Sequence, residues 1–290
     1  MAEYNKSVPY EPFESYSKRF EDFFTMKKEN GIIEVRMHKD GGPAAWSRAH
    51  HSGWGKVFKA VGQDPTNEVL IFGGTGDKWV GQADPEAAME ALKMMTEQPL
   101  AFRREGYDMQ YLEGSDLIYP LLYDIHIPTI GVVNGPGAGH TEFPLIADLT
   151  LAAPDATFHE PHFASLSMVT GDGLFLVFQE LFGKRANKMA YTGQSVSAQE
   201  AFDCGAVAEI VERDKIYDRA WAIAKKLMKK DRYARRLQHE IMNFRWKRVF
   251  LNEFSNQFMA EGWAQGLADF GAKETKTGWS NLSNEELLKK

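Results

Sequence analysis

The chain has 290 residues, 43% of them hydrophobic and 12% aromatic, the composition of an ordinary soluble globular protein able to close one sizeable core. A formal net charge of −6 leaves no electrostatic footprint for nucleic acid, and no apolar run reaches the length of a membrane span. One cysteine, Cys204, excludes an internal disulfide and a cysteine-based zinc site; at the end of a predicted helix it reads as a small buried packing residue.

The first residues, 1–23, are charged and aromatic without clear periodicity and carry no signal-peptide core, so they read as an arm laid over the surface or a neighbouring subunit of a cytoplasmic protein. Residues 24–37 alternate and are interrupted by Asn30-Gly31, which predicts two strands joined by a tight turn. Residues 46–61 read as a helix. The short apolar run 69–72 reads as a strand ending in the turn Gly73-Gly74-Thr75-Gly76. Helical composition returns over 86–97 and 107–123. Thr129 to Val133 is β-branched and apolar, a buried strand, and Gly135, Gly137 and Gly139 follow it before His140. Residues 145–152 and 156–158 are further strand candidates. Helices are expected over 174–178 and 184–191, and nearly all of 198–268 reads as amphipathic helix, in which the lysine-rich stretch 225–232 is a solvated face. Strands alternating with helices predict an α/β core with parallel strands over 24–205 and a helical region over 206–290.

Two features carry chemistry. The glycine turns at 73–76 and 134–139 let bare N–H groups approach a ligand, yet neither has the spacing of a dinucleotide fingerprint or a P-loop. Five of the eight histidines fall at His50, His51, His140, His159 and His162, and Asp172 follows His162 by ten residues. A histidine backed by an aspartate can take a proton from water. A metal site is the rival use of these histidines. No HExxH or HxH motif accompanies them, and neither metal nor cofactor is expected.

The stretches Val69-Leu70-Ile71-Phe72-Gly73-Gly74, Pro128 to Gly135, Ala147 to Ala153 and Tyr191 to Ala201 resemble the crotonase (enoyl-CoA hydratase/isomerase) superfamily across roughly residues 24–268. That resemblance implies a spiral of ββα units with a C-terminal helical region that packs trimers, sometimes hexamers. It also implies an oxyanion hole of two backbone N–H groups, at about Gly81 and at Gly139 or His140. Glu142 matches the first catalytic glutamate of the CoA-dependent hydratases. His162 stands where they carry the second, and His140 stands where they carry glycine. These departures, with Pro161-His162-Phe163, Gly171-Asp172-Gly173, Trp46 and His51, are similar to the β-diketone hydrolase branch typified by 6-oxocamphor hydrolase. Glu261 corresponds to a late-helix glutamate of that branch, and the segment 86–114 looks expanded.

The resemblance implies cofactor-independent hydrolysis of a cyclic β-diketone, a small-molecule substrate, by a retro-Claisen reaction. His162, polarised by Asp172, deprotonates water. His140 and backbone donors hold the oxyanion, each such donor worth about 3–4 kcal/mol. His51 and Trp46 stabilise the departing enolate. The alternative is a CoA-thioester hydratase or isomerase with altered catalytic residues.

Overall fold

A computed structural model describes residues 9–81, 89, 93, 97, 115–166, 168–171, 173 and 175–267. Most of the segment 86–114, with its expected helix over 86–97, lies outside them, as does Asp172. The N-terminal segment contains a helix, α1 (Phe13–Arg19), and is docked on its own core. Tyr16 is fully buried there, and its hydroxyl donates to Asp64 at 3.0 Å. Burial holds that phenol well above its ordinary pKa.

Strands β1 (Phe24–Glu29) and β2 (Ile32–Met37) form the expected hairpin, with Glu29 opposite Ile32. Asn30 and Gly31 both have positive φ, 51° and 83°, the backbone a two-residue turn of matching twist requires. Helix α2 (Arg48–Gln63) starts later than its composition implied, leaving Trp46 in the extended segment before it. Strand β3 (Val69–Gly74) follows. Helix α3 (Ser115–Tyr119) runs into a π-helical turn over Pro120–Asp124, and then come β4 (Thr129–Val133), α4 (Glu142–Ile146) and β5 (Leu149–Ala152). The strand expected over 145–152 is thus confined to its second half, because residues 142–146 close a helical turn instead.

The main sheet has the order β1-β2-β3-β4-β5-β8, where β8 is Glu209–Ile210. Only the β1–β2 pairing is antiparallel among these. Each parallel strand is added beside the previous one, so the chain winds forward as a spiral. After β3, β4 and β5 it passes through a second, smaller layer. Val80 bridges Gly137, Pro136 bridges Thr157, and β6 (Thr157–Phe158) pairs with β7 (Val196–Ser197). Strand β8 interrupts the run 198–268 expected to be nearly all helical.

Side-chain alternation explains why the parallel strands are apolar throughout. Leu70 and Phe72 face the core that contains Trp54, Val57, Phe58 and Val61 of α2, spaced for one helix face. Val69, Ile71, Ile130, Val132 and Leu151 face the opposite way, onto Ile216, Ala220 and Ala224 of a later helix (Ile216–Leu227). Each large side chain so buried contributes about 1.5–3 kcal/mol.

Helices α5 (His162–Leu166), α6 (Phe175–Phe182), α7 (Lys184–Thr192) and α8 (Ala198–Asp203) complete the spiral, α8 with a capping box between Ser197 and Glu200. Cys204, just past α8, is exposed and not buried, since the chain turns outward there. Helix α9 is the Ile216–Leu227 segment, and α10 (Arg232–Leu267) is the long C-terminal helix. Arg232 and Arg235 pair with Glu68, and His239 with Asp148, which anchor the start of α10. No helix among the described residues is long and apolar enough to cross a membrane.

Candidate active site

Three segments meet where the main sheet's strands end. The first is the extended run before α2. The second is residues 79–81 after β3. The third comprises the loops 134–142 and 159–162 that follow β4 and β6. Asn134 ties two of them together by donating its amide to the carbonyls of Gly76 and Lys78 at 2.9 and 2.8 Å. Gly135 permits that approach, because a Cβ there would collide with the Asp77 carbonyl. Trp79, fully buried, donates its indole N–H to the His140 carbonyl at 2.8 Å. His140 itself lies in the left-handed region, φ 53°.

Between these segments lies a pocket of about 260 Å³, walled by Trp46, Val80 and Gly81, by Ala138, Gly139, His140 and Glu142, and by His159, Glu160, Pro161 and His162. The His140 ring lies almost parallel to Trp46, with centroids 4.0 Å apart, and to Phe143 at 5.9 Å. His51 presents its ring edgewise, 5.9 Å from His140 and 6.1 Å from Trp46.

Two histidine–carboxyl pairs face the cavity. His140 Nδ1 lies 3.1 Å from Glu142 Oε1, and His162 Nδ1 lies 2.7 Å from Glu160 Oε1. Glu160 Oε1 also accepts the backbone N–H of His162 at 2.6 Å. Both glutamates are buried. Burial above all, with the nearby charge of Glu160, pushes the Glu142 carboxyl up to about 8, although His162 acts in the opposite sense. His159, hydrogen-bonded to Ser195, is lowered by burial against the pull of Glu160.

Of the residues expected from sequence, Trp46, Gly81, Gly139, His140, Glu142 and His162 line this one pocket. His51 stands behind it, against Trp46 and His140. Glu261 is fully buried farther off, where its Oε2 accepts the N–H of Gly171 at 3.1 Å. Gly171 lies so close to α10 that a Cβ there would strike Gln257 and Glu261. The Gly81 amide, near which one donor of the oxyanion hole was expected, donates to the Ala44 carbonyl at 2.8 Å, and residues 82–88 after it lie outside the described residues. The extended segment before α2 lies alongside and takes that hydrogen bond. Glu160 was not singled out from sequence. Its signal is the mirrored spacing Glu160-Pro161-His162 against His140-Thr141-Glu142. Among the described residues no group of three or more His, Cys, Asp or Glu side chains is placed to hold a metal ion.

A spiral of parallel strands with a pocket beyond their ends defines the class of enzyme, and the comparisons agree. The enoyl-CoA hydratase/isomerase family pattern matches residues 27–259, and the chain belongs to that family. Carnitinyl-CoA dehydratase of Salmonella enteritidis is 29% identical over 206 residues, 70% of this chain and 73% of its own length. Crotonyl-CoA hydratase of Syntrophomonas wolfei is 29% identical over 190 residues, 63% and 67% of the two chains. Among solved structures, a β-diketone hydrolase from the cyanobacterium Anabaena sp., bound to (S)-3-oxocyclohexyl acetic acid, superposes with a TM-score of 0.77 at 28% identity, covering 88% of this chain and 97% of that one. An enoyl-CoA hydratase/isomerase from Mycobacterium paratuberculosis shares the fold, with a TM-score of 0.72 at 20% identity over 84% and 94% of the chains.

Proposed function

We propose that this enzyme hydrolyses the carbon–carbon bond between the two carbonyls of a cyclic β-diketone. Water adds to one carbonyl, the bond to the central carbon breaks, and that carbon takes a proton, giving a keto acid. His162 is the base, with Nδ1 held by Glu160 so that Nε2 receives the proton from water. His140 donates to the oxyanion, and Trp46 faces the second carbonyl with His51 supporting the stack behind it. No cofactor is required, because the leaving group is an enolate and not a simple carbanion.

The observation that carries this reading is the occupied amide of Gly81. A thioester oxyanion hole that relied on the Gly81 amide would have to do without that donor, while an imidazole lines the same pocket at a position where the family resemblance implies glycine. The 28% identity with a β-diketone hydrolase over most of both chains supports it. CoA-thioester chemistry is the second reading, favoured by the names of the curated relatives and by the two buried carboxyl groups in the pocket.

One assay separates them. The protein is offered cyclic and bicyclic 1,3-diketones, with loss of enol absorbance followed and a product heavier by one water sought, and crotonyl-CoA in parallel. Diketone turnover that disappears in His162→Ala, with the circular dichroism spectrum unchanged, is expected. Turnover of crotonyl-CoA alone sinks the proposal. Asp172→Asn tests the further expectation that this aspartate assists His162. The apolar side chains Leu237, Ile241, Phe244 and Leu251, exposed along α10, support assembly into the trimers expected from the family, which analytical ultracentrifugation reads directly.

A further inference from the structure

The geometry points to a task for Glu142 other than activating water: we infer that its carboxyl shares a proton with His140 Nδ1 and thereby keeps the opposite ring nitrogen, Nε2, protonated as a hydrogen-bond donor. The inference rests on the proposed oxyanion role of His140 and deepens it.

A carboxyl oxygen and a ring nitrogen 3.1 Å apart form a hydrogen bond only with one proton between them. If that proton comes from the acid, Nδ1 accepts and the neutral ring carries its own proton on Nε2. If the carboxyl is ionised and the ring neutral, Nδ1 must donate and Nε2 is left as a bare acceptor. Only the first arrangement, or the ion pair with the same number of protons, gives an oxyanion a donor. The fold favours it. Glu142 is 1% exposed, so its charge is poorly solvated. The titratable groups facing it are His140 from its own loop and Glu160 with His162 from the segment after β6, and the Glu160 charge further opposes ionisation. Its carboxyl therefore stays protonated to a pH of about 8. Stacking on Trp46, with centroids 4.0 Å apart, opposes a ring flip that would exchange the two nitrogens. Above that pH the pair loses its shared proton, Nδ1–H turns to the carboxylate, and the donor is gone.

The test is a two-bond proton–nitrogen correlation spectrum of protein labelled with 15N at histidine, the His140 signals assigned by their absence in His140→Ala. Protonated Nε2 at pH 7, lost with a midpoint near 8, is expected in the wild type. In Glu142→Gln the amide supplies a donor to Nδ1 that does not titrate, so Nε2 stays protonated to pH 10. In parallel, diketone turnover should fall about thirtyfold between pH 7 and 9.5 in the wild type, and this alkaline limb should vanish in Glu142→Gln. A bare Nε2 at pH 7, or the same change near pH 8 in Glu142→Gln, overturns the inference. Should that variant not fold, the wild-type titration alone decides. The spectrum needs no substrate, so a protein that keeps the tautomer yet ignores diketones refutes the proposed reaction and leaves the proton assignment standing.

Discussion

The two walls of the pocket carry the same pair of side chains in mirrored order. His140 precedes Glu142 by two residues, and Glu160 precedes His162 by two. Each pair buries its glutamate and leaves its imidazole slightly exposed, 14% for His140 and 16% for His162. They differ in what else the carboxyl meets. Glu160 receives two donors on one oxygen, the ring N–H and the backbone N–H of His162, as an acceptor does. Glu142 sits in the first turn of a five-residue helix, where burial outweighs the hydrogen bond from its own backbone N–H and a second carboxyl lies nearby, so its carboxyl is pushed up to about 8. In the proposed reaction, identical side chains serve opposite ends, a base on one wall and a donor on the other. The environment of the carboxyl makes the difference.

That contrast can be broken from either side. The largest effect is expected at the base: His162→Ala should lower kcat on a diketone by about 10³-fold or more, measured under saturating substrate. Glu160→Gln should cost somewhat less, about 10²-fold, since an amide can hold the ring while no longer stabilising its charged form. If this substitution were silent, the two walls would not differ as described. On the other wall, His140→Ala should cost about 10²–10³-fold in kcat with little change in KM, the pattern of a group acting mainly in the transition state. The smallest effect is on stability. Between the ordinary carboxyl value of 4.5 and about 8, the unfolded chain releases the Glu142 proton and the folded chain retains it. Folding stability should therefore fall as pH rises through that window, and Glu142→Gln should flatten the slope in chemical denaturation.

Much of the frame was legible in the sequence. Asn30-Gly31 dictates its turn by backbone preference alone, and the β-branched run Thr129 to Val133 is too apolar for anything but a doubly covered strand. Local composition was less informative at residues 142–146, where one apolar run serves a helix and then a strand. It also concealed Glu209–Ile210, a two-residue strand defined only by its pairing with Leu151 and Ala152. In the site, the residue types at 140, 142 and 162 were enough to draw attention to the right loops. The pairing of His162 with Glu160 was not legible, because a glutamate before a proline reads as surface until the fold buries it. Nor could any local pattern disclose that Gly81 spends its amide on Ala44, thirty-seven positions away.

The left-handed backbone at His140 bears on how such an active site could arise. A glycine fits that conformation without strain, whereas a side chain there costs on the order of 1 kcal/mol. The stack on Trp46 returns a comparable amount. Glycine and histidine are therefore near-exchangeable tenants of one unchanged backbone. An ancestral scaffold could acquire or shed the imidazole in a few codon changes without passing through an unfolded intermediate. The same position offers protein engineers a place to install other side chains on this spiral while leaving its architecture alone.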